Sequence, residues 1–205
     1  MELFLSIITA LIALLCLGGF IYAVYASEKR AIKEKKKAKK QQIDKEVKKL
    51  EIKQSLSAEY EFFVAGTTFG SRQKKIRTIT DYALQFESGD GTEGTIHFDL
   101  SREPDNQHDP NAIAISATVE YSKEKYNGDL SEPKFKNIGL IGYVPAEDAK
   151  EIAPLMDAGY IIYVSNTKIK EFYSEQMEDD ILSVHLDIAI EPTPAIIEAA
   201  LKQRS

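Results

Sequence analysis

The sequence predicts a mainly β protein of the α+β class: a small antiparallel β-barrel with one or two helices, preceded by a transmembrane helix and a helical stalk. Three observations lead there. Residues 3–26 carry no charge. Residues 27–57 are lysine-rich and contain neither glycine nor proline. Residues 58–205 alternate short apolar runs with turn residues. Charge follows the same division: residues 1–53 hold 12 lysines and arginines against 6 acids, whereas residues 54–205 hold 14 against 26, a balance of −12. One cysteine, Cys16, excludes an intramolecular disulfide framework, and with three histidines it also excludes a zinc ribbon or finger.

The 24 residues from Leu3 to Ala26 would make a helix of about 36 Å, enough to cross a bilayer core. Tyr22 and Tyr25 suit the interface at its end, and a basic run from Lys29 to Lys40 follows. A cleaved signal peptide is the competing reading. Against it stand Glu2, the lack of an early Lys or Arg, and the length of the apolar stretch. Leu14 and Leu15 before Cys16 also rule out a lipoprotein cleavage box. Basic residues just past the span mark the side that stays inside, so the expectation is a single-pass anchor in the cell membrane with a cytoplasmic C-terminal body.

Residues 27–57 read as a charged helical stalk. Ile43, Val47 and Leu50 form one narrow apolar stripe at i, i+4, i+7, the pattern of a weak coiled coil. The lysines can attract anionic lipid head groups, but a solvated helical linker that satisfies the positive-inside tendency is the preferred reading.

In residues 58–205 the strands expected are 60–66, 76–86, 94–100, 111–121, 137–144, 160–169 and 181–190. Segment 145–159 has helix signals, with Pro145 at its start, acids in the first turn and Gly159 at its end. A closing helix over 193–204 starts with Thr193 and Pro194. Residues 122–136 are polar and read as an exposed loop.

Catalytic signatures are absent: no phosphate-cradling GxxxxGK[ST] loop, no HExxH, no GxSxG and no paired cysteines. His97 and His185 lie inside expected strands, on their polar faces, so no catalytic residue and no cofactor is expected. Two stretches stand out. In "AGTTFGSRQKKIR" (65–77), Arg72, Lys74, Lys75 and Arg77 can grip phosphates while Phe69 stacks on a base. The bland alternative, favoured on local sequence alone, is a solvated hairpin tip whose phenylalanine tucks into the core. In "REPDNQHDPNAIAI" (102–115), Asp105, His108 and Asp109 carry metal-donor groups, but turn chemistry accounts for them without an ion.

"FVAGTTFG", "REPDNQHDPNAIAI" and "IGYVPAEDAKEIAPLMDAG" occur in the order and approximate spacing of a HIRAN domain, and residues 60–165 resemble that family. Together with the expected anchor at residues 3–26, the resemblance makes the chain a membrane-anchored HIRAN-like protein of bacterial type. It implies an OB-like barrel, with a pocket that binds the free 3′ end of single-stranded DNA. By position, Asp109 matches the aspartate that accepts from the terminal hydroxyl, His108 stands where a stacking tyrosine is usual, and Phe69 matches one aromatic of the first segment. Thr68 replaces a phosphate-facing arginine and Gly70 replaces a second aromatic. The nucleic-acid-binding set expected is therefore Thr68, Phe69, Arg72, Lys74, Lys75, His108 and Asp109. The function expected is a non-enzymatic binding module, and the alternative is a membrane-tethered protein-interaction module with an unidentified protein partner.

Overall fold

The computed structural model describes residues 29, 33–125, 128–174 and 179–203. The apolar segment 3–26, with its expected membrane span, lies outside them. Among the described residues no helix is long and apolar enough to cross a membrane. The chain divides into two compact units, Met1–Ile52 and Lys53–Ser205. Residues 33–56 form helix α1, in keeping with the helical stalk, and the stripe of Ile43, Val47 and Leu50 is exposed.

The body contains β1 (Ala58–Phe63), α2 (Arg72–Ser88), β2 (Thr92–Arg102), β3 (Ile113–Lys123), β4 (Lys134–Tyr143), α3 (Ala146–Asp157), β5 (Ile161–Ser174), β6 (Asp179–Glu191) and α4 (Pro194–Gln203). All pairings are antiparallel, in two three-stranded sheets of order β1-β6-β5 and β2-β3-β4. The expected α+β class therefore holds, but the expected closed barrel does not. Closure needs every strand paired along both edges. Here, among the described residues, the sheets are stitched at one residue pair, where Ala65 and Tyr143 exchange two backbone hydrogen bonds of 2.8 and 3.0 Å. On the opposite side β2 and β5 line a common cleft without a ladder between them.

The segment 76–86, expected as a strand, is the middle of α2. Its β-branched residues alternate with polar ones over a few positions, which mimics a strand. The longer period is helical: Ile76, Ile79, Ala83 and Phe86 share one face, with both isoleucines fully buried. Thr78 and Thr80 return their hydroxyls to the carbonyls of Lys74 and Ile76 at 3.0 and 3.1 Å, so neither leaves a polar group unpaired. Gly89, at φ 67°, closes the helix in the left-handed conformation.

The expected loop 122–136 is shorter than its sequence suggests, because β3 runs to Lys123 and β4 begins at Lys134. The helix expected over 145–159 is α3, and the closing helix is α4. One core unites the sheets with α2 and α3, combining Ile76, Ile79, Ile113, Ile115, Ile141, Ile152, Leu186 and Ile188. Gly142 permits the junction of the sheets: a Cβ there would overlap Val64 Cγ1 and come within 2.6 Å of the Ala65 carbonyl.

Candidate functional site

Two turns flank the sheet junction. The first, residues 64–71, leads from β1 into α2. Val64 is held by the carbonyl of Val184 at 2.8 Å, and Ala65 by Tyr143. Gly66 adopts φ 70° and Gly70 φ 58°, which L side chains rarely accept. Arg72 folds back over the turn, donating from Nη1 to the Gly66 carbonyl at 2.8 Å. Gln73 fixes the same turn to β6. It donates to the carbonyls of Thr67 (3.2 Å) and Leu182 (2.8 Å) and accepts from Leu182 N at 2.9 Å. Thr67 is buried, whereas Thr68 and Phe69 project outward. Phe69 is 69% exposed, so the expectation that it tucks into the core is corrected. The hairpin-tip reading fails with it, since the next element is a helix.

The second turn, residues 103–112, connects β2 to β3 and is closed by its own side chains. Asn106 Oδ1 accepts from the backbone N–H groups of His108 (3.0 Å) and Asp109 (3.3 Å). Asp109 Oδ1 accepts from Asn111 N at 2.8 Å. Arg102 braces the turn from beneath. It donates from Nη1 to the carbonyls of Pro110 and Ala112 at 3.2 and 3.1 Å, and grips Asp157 of α3 through Nε and Nη2. His108 stays exposed and Asp109 is half-buried.

Tyr143 links the two turns. The Arg72 guanidinium lies 5.2 Å from the centre of its ring. Burial holds the Tyr143 hydroxyl above the usual tyrosine range, and the hydrogen-bonded Glu103 carboxylate pushes it further up, while Arg72 opposes both. Glu103 in turn accepts from Asn106 Nδ2 at 3.0 Å. Contacts therefore run from the Phe69 turn through Arg72, Tyr143, Glu103 and Asn106 to the backbone of His108 and Asp109. The HIRAN domain profile matches residues 58–190, from β1 through β6. The chain belongs to the HIRAN domain family. Neither a curated protein nor a solved structure matches it.

Within this HIRAN domain the four cations of 72–77 have different fates. Arg72 serves the site, but Lys75 donates to the Leu140 carbonyl at 3.0 Å. Arg77 donates to the Asp180 carbonyl at 2.6 Å and lies 3.8 Å from Glu171. Lys74 is exposed, and its amine meets no partner among the described residues. A single phosphate grip by all four is thus not what the helix presents. Glu103 and Tyr143 are the members that sequence reading missed. Tyr143 sits in the "GYVP" of the third motif, between a glycine that admits β1 and a proline that starts a helix. That placement signalled a fixed position without revealing what the ring would meet.

Of the histidines, His97 is an exposed β2 residue beside Glu120 at 3.0 Å, as its alternation predicts. His185 also faces outward from its strand, yet it is only 7% exposed.

Proposed function

We propose that this HIRAN domain binds the end of a single-stranded nucleic acid across the surface carrying Thr68, Phe69, His108 and Asp109, with Arg72 and Lys74 at its flank. The carrying observation is the pairing of an exposed aromatic, Phe69, with a turn that presents His108 and Asp109, the two held together by Arg72, Tyr143 and Glu103. An exposed ring on a rigid turn is a platform on which any base can stack. Asp109 Oδ1 already accepts from Asn111, and its second oxygen is the acceptor for a terminal 3′ hydroxyl. Lys75 contributes less, because its amine is committed to Leu140.

The domain acts by binding and not by catalysis, and residues 3–26 tether it to the cell membrane with the body on the cytoplasmic side. The lysine-rich stalk is a solvated linker in that arrangement, with its charges within reach of anionic head groups. A protein-interaction module is the second reading. The −12 balance of residues 54–205 and Thr68 in place of an arginine both favour it, since phosphate contacts dominate non-specific affinity.

The two readings separate on titration of the full chain, in detergent, with short fluorescent oligonucleotides at low and moderate salt. The nucleic-acid reading expects binding that weakens about tenfold when the 3′ hydroxyl is blocked, the loss of one hydrogen bond to a charged acceptor. No binding at low salt overturns it. Binding indifferent both to the block and to Asp109→Ala leaves nucleic acid as the ligand but removes the terminal pocket.

A further inference from the structure

Away from the two turns, three donor groups converge on the outer face of the β1-β6-β5 sheet. Alternation along β6 sends Leu186 and Ile188 into the core and His185 and Asp187 outward. Glu61 of β1 stands in register opposite Asp187, and Phe63 opposite His185. A histidine on the outer face of a strand is ordinarily wet. His185 is enclosed, partly by Phe63, whose ring meets the imidazole at 4.8 Å with the planes 64° apart.

Its two ring nitrogens meet different carboxylates. Nε2 lies 3.0 Å from Glu61 Oε1, and Nδ1 lies 3.6 Å from Asp187 Oδ1. An ionised carboxylate only accepts, so the Glu61 contact requires the imidazole proton on Nε2. On a neutral ring Nδ1 then carries a lone pair. It faces Asp187 Oδ1, which is closed off from solvent and has no hydrogen-bond partner among the described residues. Two acceptors facing each other beyond hydrogen-bond distance call for a cation between them. Asp187 is also oriented for one. Asn166 Nδ2 donates to its Oδ2 at 2.7 Å, and a β-bulge between Val164 and Asn166 sets Asn166 opposite Asp187.

We propose that His185 Nδ1 and Asp187 Oδ1 ligate a divalent transition-metal ion of the zinc class, with Glu61 holding the imidazole through Nε2 and water completing the coordination. The three donor groups lie within 4.8 Å of one another. An ion about 2.1 Å from each ligand atom spans the 3.6 Å gap at an angle of roughly 120°. Two carboxylates match the charge of a dication, and the imidazole selects against magnesium and calcium, which prefer oxygen-only shells. A carboxylate behind a metal-bound histidine fixes both its tautomer and its orientation, the part Glu61 plays here. The ion would be held by β6, with β1 joined to it through the Glu61 contact to the imidazole, independently of nucleic-acid binding.

The test uses the full chain in detergent, stripped with a chelator and titrated with Zn2+ by calorimetry, with bound zinc counted by elemental analysis. Wild type is expected to bind one zinc ion per chain, unaffected by excess Mg2+, and to unfold at a higher temperature once loaded. Asp187→Asn keeps the side-chain shape and should weaken zinc at least tenfold. Glu61→Gln, at an exposed carboxylate, should weaken it about tenfold. His97→Gln, at the comparable exposed histidine–carboxylate pair, should change nothing. Circular dichroism establishes that each variant is folded. Equal zinc binding in wild type and Asp187→Asn, or loss in His97→Gln, overturns the proposal. So does no zinc binding at all, in which case a proton bridges the two acceptors and His185 is an imidazolium.

Discussion

The guanidinium of Arg72 lies 5.2 Å from the centre of the Tyr143 ring while its Nη1 donates to the Gly66 carbonyl at 2.8 Å. One side chain therefore closes the turn that presents Phe69 and also seats that turn on the strand end facing the second turn. The planar fork is suited to both duties at once, since it can stack on a ring and still donate in its own plane.

Arg72→Lys should accordingly not behave as a conservative change. An ammonium keeps the charge but cannot stack and donate in the same geometry, so the turn should loosen. The expected loss is about 1 kcal/mol of stability, from a weakened cation–π contact and a lost hydrogen bond. Denaturant unfolding measures it. A variant as stable as wild type would show that the turn is held by Gln73 alone.

Phe69→Ala should do the opposite, leaving stability within about 0.5 kcal/mol because the ring buries little. Its effect belongs to binding. Losing one stacked base is worth about 1–3 kcal/mol, a roughly five- to 150-fold weakening of oligonucleotide affinity. Unchanged affinity would move the binding surface away from this turn.

The sequence carried the fold in some places and not in others, for reasons visible in single residues. Strands such as β2 and β3 were legible because inward and outward residues alternate: Ile96 and Phe98 turn in while His97 and Asp99 turn out. The α2 helix was not, because Ile76, Thr78 and Thr80 carry the branching of a strand and the helical period emerges only over 11 residues, from Ile76 to Phe86. The open seam between β2 and β5 was illegible too, since pairing between edges depends on geometry that no local pattern encodes. At the site, the motifs carrying Phe69, His108 and Asp109 were readable as text. Their connection through Arg72, Tyr143 and Glu103 was not, because those residues come from three separate segments. His185 shows the same limit: alternation placed it outward, but only the neighbouring strand reveals that Phe63 and Glu61 close over it.

The raised Tyr143 hydroxyl makes a prediction in pH. Burial and the Glu103 carboxylate favour the neutral phenol, so the folded-state value lies above the unfolded one. Such a group contributes stability that is fully present below the unfolded tyrosine value of about 10 and is lost as pH rises through the folded value. Wild type should exceed Tyr143→Phe in stability near neutrality, and the difference should shrink in the alkaline range. Unfolding midpoints of both proteins across that range measure it, and a constant difference would sink the assignment.

Gly142 is the residue on which the junction of the two sheets turns, and Gly142→Ala is the sharpest test of it. Gly142 needs no left-handed conformation, so backbone strain does not explain it. The reason is space: an added Cβ overlaps Val64 Cγ1 and comes within 2.6 Å of the Ala65 carbonyl, and both belong to the chain that crosses β4 there. Val64 is 5% exposed and part of the core, and Ala65 exchanges backbone hydrogen bonds with Tyr143, so neither can yield cheaply. Forcing a methyl group into such a contact costs about 1–3 kcal/mol by overpacking, and more if the Ala65–Tyr143 pair breaks. Gly70→Ala supplies the comparison. It has nothing within 4 Å of a Cβ but sits at φ 58°, so its cost is conformational alone, about 1 kcal/mol. Hydrogen exchange distinguishes the two outcomes. Gly142→Ala should lose protection at the Ala65 and Tyr143 amides, whereas Gly70→Ala should lower global stability slightly and leave those amides protected. Equal effects at both positions would mean that the sheets are held by the core alone and that the stitch at Ala65 is incidental.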